Sequence, residues 1–94
     1  MLAKSLLSSV LLALILTAAT AEARECKPLH MDMGPPAQPA QYHAERVAIH
    51  TWERHVLELH GRDFADWDKA ESKKISCEKS GEYHQCWIEG RPCR

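Results

Sequence analysis

KKISCEKSGEYHQCWIEGRPC, residues 73–93, holds three of the four cysteines and one of the three tryptophans. Apolar and polar residues alternate on both sides of Ser80-Gly81, the period of a half-buried strand pair. Two registers fit. With Gly81-Glu82 as a type II′ turn, glycine supplies the positive φ of the first turn position and Cys77 faces Cys86 in a non-hydrogen-bonded pair. That register also sets Lys74 opposite Glu89, a favourable cross-strand pair. With Ser80-Gly81 as the turn, Cys77 faces His84 instead. The two differ by an even shift, so both place Ile75, Cys77, Cys86 and Ile88 on one face. Trp87, Tyr83 and Gln85 then lie on the other.

Before this stretch, between Ala40 and His60, the pattern is helical. Ala44, Val47, Ala48, Trp52, Val56 and Leu59 recur at i, i+3, i+4 intervals and form one apolar stripe. Gly61 is placed to end this helix in a left-handed conformation. A second, shorter helix is expected next, with Asp63 as its cap, Phe64, Trp67 and Ala70 on one edge, and Lys73-Lys74 at its end. The fold class is α+β: long helix, short helix, then a C-terminal two-stranded β-hairpin, disulfide-stapled. A hairpin is marginal alone, so both helices should cover its Ile75/Cys77/Cys86/Ile88 face.

Upstream, Lys27–Gln41 contains four prolines, Pro28, Pro35, Pro36 and Pro39, which forbid a helix and predict an extended, mobile arm. Earlier still, Met1–Ala23 combines Lys4, an apolar run from Leu6 to Ala19, and Ala21-Glu22-Ala23, the layout of a cleavable secretory signal. The run is shorter than the ~20 residues that span a bilayer. The expected division is signal peptide 1–23, Pro-rich flexible arm 24–41, and helix-helix-hairpin domain 42–94. The expected product is soluble and located in the periplasm or outside the cell.

Four cysteines in a small exported chain read as a disulfide framework. Three pairings are open. We favour Cys77–Cys86 with Cys26–Cys93; the others are 26–77 with 86–93, and 26–86 with 77–93. A 26–93 bridge would contribute roughly 4 kcal/mol on the loop-entropy model, which matters in a core this small. Removing the signal takes Lys4 and Glu22, leaving 11 Lys+Arg against 12 Asp+Glu. That balance favours neither nucleic acid nor anionic lipid as a partner.

The spacing Trp52…His60-Gly61…Phe64-Ala65…Trp67…Ala70…Cys77…Cys86…Pro92-Cys93 resembles that of a group of small exported bacterial proteins, mostly alphaproteobacterial. The similarity runs from about Ala44 to Cys93 and omits the arm. It implies export and a small helix-plus-hairpin domain, and it brings no activity, ligand or catalytic residue. Cys26 is an addition to that group's three-cysteine pattern.

No residue set meets the needs of catalysis. A cysteine nucleophile requires a free thiolate, no C-x-x-C pair is present, and no carboxylate pair stands out. The expectation is no enzyme and no catalytic residue. Zinc held by Cys77, Cys86, Cys93 and a histidine matches no finger or ribbon spacing. The sharpest metal candidate is His30-Met31-Asp32-Met33, whose imidazole and thioethers suit copper, Cu(I) above all. His43, His50, His55, His60 and His84 are available to complete it. The plainer reading makes these ordinary residues of the arm and solvated helix positions, since no histidine pair has the i, i+4 spacing. Recognition is the main expectation: an unidentified periplasmic or extracellular protein bound through Tyr83 and Trp87, with no cofactor; the equally simple reading packs Trp87 against a helix edge or the returning Cys93 tail. Copper binding through His30, Met31 and Met33 is the alternative.

Overall fold

The computed structural model describes residues 24–94; the signal-peptide reading of 1–23 lies outside them. In chain order come strand β1 (His30–Met33), helix α1 (Gln41–His60), two 3₁₀ turns (Arg62–Phe64 and Trp67–Lys69), and strands β2 (Glu71–Ser80) and β3 (Tyr83–Arg91). The class is α+β with two disulfides, Cys26–Cys93 and Cys77–Cys86. The sheet is three-stranded and antiparallel, in the order β1-β3-β2, rather than a two-stranded hairpin.

The hairpin adopts the Gly81-Glu82 turn register, with Ser80 opposite Tyr83, Cys77 opposite Cys86 and Lys74 opposite Glu89. Gly81 has φ of 62° and Glu82 is not among the positive-φ residues, the signature of a II′ turn. A one-residue shift between Glu71 and Lys74 forms a bulge, where Ser72 takes φ of 54°.

The third strand comes from the proline-rich stretch, and this corrects the mobile arm. Met31 pairs with Glu89 and Met33 with Trp87. Backbone bonds extend the alignment at both ends, from Lys27 N–H to the Pro92 carbonyl (2.7 Å), Gly34 N–H to that of Cys86 (2.8 Å), and both ways between Gln38 and His84. Proline forbids a helix interior but is tolerated on an edge strand, where fewer N–H groups are needed for the ladder. Leu29-His30-Met31-Asp32-Met33 does alternate apolar with polar; the strand is unusual because its polar side faces the helix.

Helix α1 lies across β3 and β1. Ala44, Ala48, Trp52 and Val56, all at i+4 steps, are buried, while Leu59 is exposed. Small residues allow the close approach: a Cβ on Gly34 would stand 2.9 Å from that of Ala48. Gly61 ends the helix, its N–H bonding to the Leu57 carbonyl. Its φ of 92° is positive as expected, but ψ of 174° lies outside the left-handed helical region, in territory open essentially to glycine alone.

The expected second helix is replaced by the two 3₁₀ turns. Asp66, not Asp63, caps the second by accepting from the Asp68 N–H, and the Trp67 N–H donates to Glu53 on α1. Lys73 and Lys74 already belong to β2. The turns serve to bury Phe64 and Trp67, and Trp67 meets Trp52 edge-on with centroids 5.0 Å apart. The hairpin's inner face divides unequally: Cys86 and Ile88 on central β3 are buried, whereas Ile75 on edge strand β2 remains 40% exposed. Helix α1 does not reach far enough to cover both.

Candidate functional site

Strand alternation sorts the candidate residues onto two faces. On the outer face, Met31 and Met33 are 65% and 55% exposed, and Trp87 is half-buried directly opposite Met33. Tyr83 lies farther along β3, 55% exposed. Two shallow hollows flank this row. One is lined by Met31, Lys74, Ser76, Trp87, Ile88 and Glu89, all sheet residues. The other lies among Pro36, Ala37, Glu78, Tyr83 and Gln85. Tyr83 and Trp87 thus share a face as expected, joined by two thioethers that only the third strand could bring there.

On the inner face, His30 and Asp32 point toward α1. The Asp32 carboxylate accepts from two imidazoles, His30 Nε2 and His55 Nδ1, at 2.6 Å each. The Trp52 Nε1–H donates to the His30 carbonyl at 3.1 Å, tying this strand residue to the helix. The His30 ring stands edge-on to Trp52, 6.3 Å between centroids. The side chain of Asp32 is 11% exposed, that of His30 20% and that of His55 39%. Hydrogen-bonding to two N–H donors compensates the burial of this carboxylate.

This geometry divides the expected copper set. His30 faces the helix while Met31 and Met33 face away, so the three do not converge. His55, read as a solvated helix position, meets Asp32 instead. The other histidines stand elsewhere: His50 is exposed beside Glu53, His60 lies edge-on to Phe64, and His84 pairs with Gln38 through the backbone. The cluster was invisible to helical spacing because its two imidazoles come from a strand and a helix 25 positions apart. The usable signal was His30-x-Asp32, the i, i+2 spacing that puts two polar groups on one side of a strand.

All four cysteines are paired, so among the described residues no thiolate is offered to zinc or to a substrate. No described helix is long and apolar enough to cross a membrane. No protein-family model, curated protein or solved structure matches the chain.

Proposed function

We propose that this chain is a small, disulfide-stabilised, non-catalytic protein of the bacterial periplasm or cell exterior that recognises a protein partner through the outer face of its sheet. The observation that carries this reading is the row Met31, Met33, Trp87 and Tyr83, large apolar side chains on a face that α1 does not cover. Aromatic residues and methionine are enriched in interface cores. The partner's chemistry follows from the surroundings. Lys74 and Glu89 put both signs of charge beside the apolar row, which suits a protein surface better than a polyanion or an anionic bilayer. Strand addition at the β2 edge is disfavoured, because β2 carries Glu71, Lys73, Lys74, Glu78 and Lys79, charges that discourage further pairing. Export is supported by the N-terminal sequence pattern and by the two disulfides.

A photo-crosslinking residue at Tyr83, expressed in the host, tests this reading. One discrete crosslinked protein is expected, absent from a chain that also carries Trp87→Ala and absent with the crosslinker at Arg46 on the far side of α1. Crosslinks independent of both changes would refute the assigned surface.

A second reading has one specific observation in its favour: Met31 and Met33 share the outer face beside Trp87, so two thioethers and an aromatic ring are together available to Cu(I). His30 takes no part in it. Copper retention that falls to background in Met31→Leu/Met33→Leu would favour this reading; full retention would remove it.

A further inference from the structure

We propose that His30 Nε2, the Asp32 carboxylate and His55 Nδ1 form a binding site for a divalent transition-metal ion, Zn²⁺ foremost. These three groups offer one ligand atom each, and all three atoms lie within 4.8 Å of one another. The site is on the inner face, across the sheet from the recognition surface, and the two assignments stand or fall independently.

Zn²⁺ sits about 2.0–2.2 Å from imidazole nitrogen and carboxylate oxygen, so ligand atoms at tetrahedral corners stand roughly 3.3 Å apart. The imidazole nitrogens and carboxylate oxygens are now 2.6 Å apart, joined by hydrogen bonds. Opening that spacing by roughly 0.7 Å requires side-chain rotation and leaves the backbone pairing of β1 intact. Each imidazole then moves its N–H to the other ring nitrogen and turns the freed lone pair to the ion. The carboxylate, already the shared acceptor of both rings, supplies the negative charge.

The donor set narrows the ion. Two imidazoles and one carboxylate are borderline to hard ligands, suited to Zn²⁺ and neighbouring divalent ions rather than to Cu(I), which favours sulfur. Three protein ligands leave a fourth position, and the 39% exposure of His55 places it toward solvent. Such sites keep an exchangeable water or an external ligand, unlike closed structural sites. Rigid elements hold all three ligands: His30 and Asp32 are paired through β1 to β3, Trp52 grips the His30 carbonyl, and His55 stands on α1. Cys26–Cys93 anchors the same strand four residues upstream of His30.

Titration of the oxidised, folded protein with Zn²⁺ alone, followed calorimetrically and by imidazole NMR shifts, tests the site. One ion per chain is expected, with the His30 and His55 rings shifting together and those of His43, His50, His60 and His84 unmoved. His55→Gln, a change on a partly exposed helix position, should weaken binding roughly 100-fold or more, beyond the 10–100-fold typical for loss of an outer partner of a metal ligand. It should also abolish any Zn²⁺-induced rise in Tm. His50→Gln should do neither. Unchanged affinity in His55→Gln, or shifts confined to the exterior histidines, would overturn the assignment and leave the cluster as a hydrogen-bonded strut between β1 and α1.

Discussion

Replacing Cys26 and Cys93 together by alanine is expected to lower the unfolding free energy by about 4 kcal/mol. The bridge spans 67 positions, and loop entropy alone gives that magnitude. The Cys77–Cys86 bridge spans only 9 positions within one hairpin and gives about 2.5 kcal/mol on the same basis. For the 71 described residues, total stability is typically about 4–11 kcal/mol, so the long bridge is a large fraction of the whole. The loss should not be uniform. Cys26 joins the β1 side to the end of β3, so amide exchange in His30–Met33 should accelerate more than in α1. Denaturant unfolding under non-reducing conditions, with hydrogen exchange by residue, reads both effects. An unchanged midpoint, or equal loss of protection in β1 and α1, would show that the bridge is not what holds the edge strand.

Trp52→Ala should be comparably damaging, for a different reason. Trp52 is fully buried, stacks edge-on against Trp67 and donates its indole N–H to the His30 carbonyl. Truncating a buried tryptophan costs about 3–5 kcal/mol through lost burial and the cavity left behind. Trp52→Phe should recover only part of that, since it still leaves a void where the five-membered ring stood and removes the hydrogen bond, worth about 1 kcal/mol. Trp87→Ala, on a half-buried outer-face residue, should cost clearly less than Trp52→Ala. Urea midpoints of the three variants check the order. If Trp87→Ala proves the more destabilising, the outer face is part of the core and its assignment to recognition is wrong.

Much of this architecture was legible in the chain. The helix was readable because Ala44, Ala48, Trp52 and Val56 keep a helical period over more than three turns. The hairpin register was readable as one of two choices, since Gly81 suits the first position of a II′ turn and that choice also aligns Cys77 with Cys86. The second helix was overestimated: Phe64 and Trp67 do face the core, but three-residue spacing is met equally by 3₁₀ turns, and the Asp66 cap starts one where an α-helix was expected to run on.

The Pro-rich stretch marks the division between local and long-range causes. Proline content told correctly that no helix forms there, and alternation from Leu29 to Met33 was present. Which side of that alternation turns inward depends on what awaits it. Hydrophobicity alone would bury Met31 and Met33; the His55 imidazole and the Trp52 indole instead give Asp32 and His30 hydrogen-bond partners, making the polar side the one that fits. Local periodicity thus specifies the helix, the hairpin face and the residues able to reach one another along a strand. Long-range packing makes β1 pair with β3, brings two histidines 25 positions apart onto one carboxylate, and stands two methionines beside Trp87. Those outcomes rest on long-range pairing and on the compensation of buried polar groups, which no local period encodes.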